Sequence, residues 1–234
     1  MPDLNPQDVR FSPMKEIPLN LTTELKAVTE SVRQQAPAEV FSAMENANAK
    51  LAASGILNKV LMRGGRMPDF ELPDATGKLV KSTDLHKNGL LLVSFYRGAW
   101  CPYCNLELKA LHERQAEIAA AGVTLAAISP QTPDYSLTTQ QKHDLKFPVL
   151  SDQGNKVARR FGLVFTVDES LKPIYQAFGI DLKAHNGDES FELPVPATYL
   201  IARDGSVLEA FVNTDYRSRL EPETALAWIE KARR

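Results

Sequence analysis

Two stretches of the chain are apolar at nearly every position, LLLVSFY at 90–96 and VTLAAIS at 123–129. Runs of this length without a polar side predict strands buried on both faces. Between them, CPYCNLELKALHERQAEIAAAG carries apolar residues at helical spacing, so the three segments predict one strand–helix–strand unit. FPVLSD at 147–152 predicts a third buried strand and NKVARRFGL a short helix. ATYLIARDGSVLEAFVN predicts two strands joined at Asp204 and Gly205, and EPETALAWIEKARR an amphipathic closing helix with basic residues at its end. Upstream, TTELKAVTESVRQQ opens on a Thr22 cap, and EVFSAMENANAKLAASGIL follows Pro37 and stops near Gly55, predicting a helical hairpin.

Strand–helix alternation followed by an antiparallel hairpin and a last helix implies an α/β fold: a mixed sheet flanked by helices, with an N-terminal helical extension. Thioredoxin-like folds are built this way. The glycines and prolines of LMRGGRMPDFELPDATGK mark a boundary, giving a flexible arm over 1–20, a helical hairpin over 21–63 and the main domain over 64–234. Residues 164–194 are too long for an ordinary connection and predict an insertion near the active site.

A formal net charge of −2 and the absence of a basic run interleaved with aromatics argue against nucleic acid as a partner. MPDLNPQDVRFSPMKEIPLN has prolines and acids where a secretory signal needs an apolar core, and no later run reaches membrane-spanning length. The expectation is a cytoplasmic protein without a membrane partner.

The chain has two cysteines, Cys101 and Cys104, spaced as CPYC between a buried strand and a helix. That position favours the thiolate, the reactive form, because unpaired N–H groups and the helix dipole attract negative charge. Pro102 suits the first helical turn. Cys104, Leu108, Leu111 and Ile118 share one apolar face, which turns Cys104 inward and leaves Cys101 at the exposed end. Trp100 and Tyr103 are candidates to wall a groove beside the sulfur, and Arg97 and Glu107 to tune the thiolate or relay a proton. A zinc site would need further ligands, and His86, His112, His143 and His185 lack ligand spacing, so no metal and no organic cofactor is expected. The alternative to redox chemistry is a pair of ordinary core cysteines.

SFYRGAWCPYCNLEL resembles the active-site segment of thioredoxin-superfamily proteins. GRMPDFELPDATGK resembles the opening of peroxiredoxins of the alkyl hydroperoxide reductase and thiol-specific antioxidant family, and with VPATYLIARDG the resemblance covers about 64–232. It aligns Cys104 with the peroxidatic cysteine, Cys101 with the family's Thr or Ser, Arg97 with its Pro and Glu107 with its acid. Where the family has an Arg before the strand ATYLIA, this chain has Pro196. Pro196 instead resembles the cis-proline of thioredoxin-like oxidoreductases, in which Val195 would offer backbone hydrogen bonds to a bound disulfide or peptide.

The resemblance implies a thiol-dependent antioxidant enzyme of the peroxiredoxin-like branch, reducing peroxides with a thioredoxin- or glutathione-type donor. A thiol-disulfide oxidoreductase acting on protein or glutathione disulfides and a redox-switched binding protein are the alternatives, and a homodimer is left open. The alignment names Cys104 as the attacking sulfur. Exposure and the helix dipole name Cys101, which is the expectation carried forward.

Overall fold

The structure is a computed structural model that describes residues 20–234. Helices α1 (Leu21–Gln35) and α2 (Ala38–Ala53) come first, followed by a 3-10 turn at Ile56–Lys59, the ribbon β1 (Glu71–Pro73) and β2 (Leu79–Lys81), and helix α3 (Ser82–His86). Strand β3 (Leu90–Phe95) leads into α4 (Pro102–Glu113) and α5 (Gln115–Ala120), then β4 (Val123–Ser129), α6 (Pro133–Lys142), β5 (Val149–Ser151) and α7 (Lys156–Arg160). Residues 164–194 form β6 (Val164–Thr166), a 3-10 turn at Glu169–Leu171, α8 (Lys172–Ala177), α9 (Leu182–Asn186) and β7 (Glu192–Pro194). β8 (Ala197–Ile201), β9 (Val207–Val212) and α10 (Pro222–Ala232) complete the chain. The arm expected over 1–20 lies outside the described residues except for Asn20.

The main sheet runs β5-β4-β3-β8-β9, with β3, β4 and β5 parallel and β8 and β9 antiparallel to their neighbours. This is the mixed, helix-flanked sheet the pattern predicts. Period-two alternation divides each central strand between two cores. Leu91, Val93 and Phe95 of β3 join Tyr199 and Ile201 of β8 on one face. Leu92 and Tyr96 point to the other face, where they meet Cys101, Cys104, Leu108 and Leu111.

That second face is closed by α1, α4 and α10. The cap of α1 is Asn20, whose side chain accepts from Thr23 N–H at 3.0 Å, two residues before the expected Thr22. Glu221, at the start of α10, accepts from the N–H groups of Leu21 (3.2 Å) and Thr22 (2.7 Å), tying the first helix to the last. The long helix expected after CPYC is interrupted at Arg114 (φ −101°, ψ 4°), yet Ile118 beyond the break is fully buried in the same core. Helix α6 has no counterpart in the hydrophobic pattern. Its inward face is hydroxylic: Ser136 and Thr139 are buried, and Ser136 shares a 2.8 Å hydrogen bond with Ser151 of β5.

Candidate active site

The loop between β3 and α4 is shaped by Gly98, whose φ of +150° puts its Hα where a side chain would strike the Trp100 indole Nε1 at 2.4 Å. The Gln131 side chain holds the Ala99 N–H at 2.6 Å, and Asn105 donates to the Ala99 carbonyl at 2.9 Å. The chain therefore enters the helix with Cys101 as its N-cap residue and Pro102 in the first turn.

Both cysteines are free thiols, and both are buried. The expected exposed end is corrected: Cys101 is 1% exposed, because α1 packs over α4, with Thr29 reaching Tyr103 beside it. Access differs nonetheless. Cys101 lines a cavity of about 370 Å³ together with Trp100, Pro102 and Tyr103, whereas Cys104 is fully buried and does not line it. Pro37 and Met44 of the N-terminal pair and Phe178 and Ile180 of the 164–194 segment complete its walls. Tyr103 is fixed by a 3.2 Å hydrogen bond with Thr29 of α1.

Burial alone would raise the Cys101 thiol. The hydrogen bond from Cys104 and the charges of Arg97 and Arg219 outweigh it and bring Cys101 down to about 5. Cys104 is pushed well above the ordinary thiol range, first by burial and then by the bond to Cys101 and its charge. One sulfur is thus ionised near neutral pH and its partner is a protonated donor.

Arg97 is 4% exposed and donates to Tyr175 Oη at 2.7 Å. Its guanidinium carbon lies 4.7 Å from the Trp100 ring and 4.3 Å from the Tyr216 ring. Arg219, which the sequence reading does not single out, donates to Cys104 Sγ at 3.4 Å and to the backbone carbonyls of Tyr216 and Ser218. Its Nε lies 2.7 Å from Glu107 Oε2 with the N–H angled off the oxygen, so the contact is an ion pair rather than an aligned hydrogen bond. The other Glu107 oxygen accepts from Thr198 at 3.2 Å and Ser94 at 3.4 Å, the polar positions that β8 and β3 turn toward the cysteines.

Burial pushes the Glu107 carboxyl up to about 7, against the pull of Arg219. Folding therefore favours the protonated acid. The stability this contributes is complete below the free value of 4.5 and declines as pH rises toward and through about 7. Glu107→Gln should flatten that decline, which urea unfolding at pH 5, 6, 7 and 8 measures; an unchanged slope would refute the assignment.

Val195 and Pro196 do not provide the expected docking element. Their peptide bond is trans, the Val195 N–H is already spent on the Leu163 carbonyl at 2.8 Å, and the Val195 side chain packs in the core across the sheet from the cysteines. The physical reason is continuity: β7 pairs with β6, and the chain passes extended from that ribbon into β8. Pro196 instead lines a second cavity beside Arg97.

Residues 64–210 match the model of the AhpC/TSA family. Peroxiredoxin Bcp of Escherichia coli is 34% identical over 171 residues, which cover 73% of this chain and 97% of that protein. The chain belongs to the AhpC/TSA family. It is also similar to the thiol-disulfide oxidoreductase ResA of Bacillus thuringiensis, at 24% identity over 159 residues covering 68% of this chain and 74% of that one. The peroxidoxin BcpB structure from Mycobacterium tuberculosis superimposes with a TM-score of 0.58 at 23% identity, over 74% of this chain and 99% of that one, a likeness of fold. Two arginines stand beside the sulfurs here: Arg97 from the loop after β3, and Arg219, which lies beyond the matched residues. Helices α1 and α2, which roof the cysteine cavity, precede the family match.

Proposed function

We propose that the chain, an oxidoreductase of the AhpC/TSA family, reduces peroxides with Cys101 as the attacking sulfur and Cys104 as the resolving one. The observation that carries this reading is the asymmetry of the pair: Cys101 is ionised and faces a cavity, while Cys104 is protonated and sealed. The Cys101 thiolate attacks the terminal peroxide oxygen, the O–O bond breaks, and the alkoxide or hydroxide leaves and takes a proton from water, giving Cys101 sulfenic acid. Arg97 borders the space where that negative charge develops.

Oxidation then activates the partner. Burial still raises the Cys104 thiol, but a neutral sulfenic acid at Cys101 removes the charge that adds to it, while Arg219 stays 3.4 Å from its sulfur. Cys104 attacks the Cys101 sulfur, hydroxide leaves and takes the Cys104 proton as water, and a redox-active disulfide forms. A thioredoxin- or glutathione-type donor supplies two electrons and two protons to restore both thiols. Trp100 and Tyr103 shape the substrate side, and Glu107 acts through Arg219 as a positioning residue. The reading includes a cytoplasmic setting, whose thiol pools keep the pair reduced; no helix among the described residues is long and apolar enough to cross a membrane.

The likeness to ResA supports thiol-disulfide exchange at the same pair as the second reading. Steady-state assays separate the two. Cumene hydroperoxide consumption coupled to a thioredoxin system should exceed reduction of insulin disulfides by the chain, and disulfide turnover without peroxide turnover would transfer the assignment to the second reading.

A further inference from the structure

The recess at Cys101 adjoins a larger one. A cavity of about 650 Å³ lies between α2 and β6, and Arg97, Tyr175 and Tyr216 line both. Its volume is that of a small-molecule site, roughly 300–1,000 Å³. Leu51, Ile56, Phe165 and Leu171 supply an apolar lining.

Two polar atoms of its lining are unspent. Among the described residues no carboxylate stands within ion-pair distance of Arg97, and Arg97 Nε is buried without a hydrogen-bond partner. Asn48 Oδ1 is buried and equally unpartnered. The rest of the lining adds Lys50, Lys59 and Arg159 against one acid, Asp168. Lys50 is satisfied by Asp168 at 2.9 Å and Arg159 by Glu192, which leaves Arg97 with no carboxylate and only the Cys101 thiolate to balance it, a charge that is lost whenever Cys101 is oxidised. A guanidinium in a low-dielectric recess is costly without an anion.

We propose that this cavity binds an amphipathic carboxylate, its head on Arg97 and its apolar body along α2. Asn48 Oδ1 accepts from a hydroxyl or amide N–H where the ligand carries one. A planar carboxylate suits the site better than a phosphate, because Arg97 Nη2 already serves Tyr175 and the free part of the guanidinium fork matches two oxygens. Arg97 is also among the charges that favour the Cys101 thiolate, so ligand and thiolate compete for one cation. By linkage, the carboxylate lowers the reactivity of Cys101, and a neutral, oxidised Cys101 tightens carboxylate binding by the same factor. The coupling requires only a thiolate at Cys101, whichever electrophile that thiolate attacks.

Trp100, against Arg97, is a built-in reporter, and the chain has one other tryptophan. The test uses the full chain carrying Trp228→Phe, titrated with decanoate, decanol and acetate below the micelle concentration of decanoate. Decanoate should bind saturably, with decanol and acetate each about tenfold weaker or worse, as loss of a charged hydrogen bond or of the apolar body requires. Arg97→Met and Ala47→Phe, the second filling the cavity from α2, should each weaken decanoate about tenfold. Decanoate should also move the pH midpoint of Cys101 alkylation upward and bind the disulfide form more tightly than the reduced one. No saturable decanoate binding, equal affinity for decanol, or affinity unchanged by whichever of the two variants keeps a wild-type melting curve would overturn the proposal.

Discussion

Cys101→Ser should lose peroxide turnover by about a thousandfold or more, because the only ionised sulfur facing the cavity is gone. Cys104→Ser should also stop cycling, for a different reason. Its Cys101 thiolate still reacts once, and with no resolving sulfur the product is a sulfenic acid that dimedone captures and mass spectrometry reads as one adduct per chain. Iodoacetamide alkylation of Cys104→Ser should still titrate below the ordinary thiol range, because Arg97 and Arg219 favour the Cys101 thiolate even after the Cys104 thiol donor is lost. Cys101→Ser should react slowly across neutral pH, since its remaining thiol is sealed and raised. A stoichiometric dimedone adduct on Cys104 in Cys101→Ser would reverse the roles and restore the order that the family alignment names.

The second large effect concerns Arg219. Both it and Glu107 are 1% exposed at the side chain, so Arg219→Met strands a carboxylate in the core and should destabilise the fold by about 3–5 kcal/mol at pH 8. Without the pull of Arg219 the Glu107 carboxyl titrates higher than in the native chain, so the loss should shrink as pH falls and the acid is protonated. Adding Glu107→Gln removes the stranded charge, and the double variant should recover to within about 1–2 kcal/mol of the native chain. Its thiol chemistry should not recover, because Arg219 is one of the two guanidinium charges that favour the thiolate at Cys101. Urea unfolding and alkylation against pH, on both single variants and the double, separate these roles. Rescue of stability and thiol reactivity together would mean that Arg219 serves only to neutralise Glu107.

What was legible in the sequence followed how locally each feature is encoded. β3, β4 and the β8–β9 hairpin could be read because burial on both faces, or a turn at Asp204 and Gly205, leaves a pattern within a few residues. Helix α6 could not, since it packs through Ser136 and Thr139 rather than an apolar stripe. The CPYC segment announced the sulfurs, and Arg97 and Glu107 were found because they flank it. Arg219 stands 115 residues from Cys104, and neither Tyr175 nor Tyr216 differs in local context from an ordinary surface aromatic; only the closed sheet brings them to the sulfurs. The cis-proline expectation failed where a local dipeptide was read without the β6–β7 ribbon that governs its path.

The helical roof divides the catalytic cycle by the size of its reactants. A peroxide or a small thiol needs only the cavity, but a folded donor protein has to bring its own sulfur against Cys101, beneath α1 and α2. The roof is held by Leu21, Leu25 and Ala47, which are buried in the cores, and by four polar ties: Glu221 on the first N–H groups of α1, Thr29 on Tyr103, Lys50 on Asp168 and Glu45 on Arg217. Two of these four are partly exposed ion pairs that salt weakens. With a protein as electron donor, the reductive half of the cycle is therefore expected to require displacement of the roof and to quicken with ionic strength, which the rate of disulfide reduction against salt measures. With a small thiol, the same half-reaction is expected to show no such dependence.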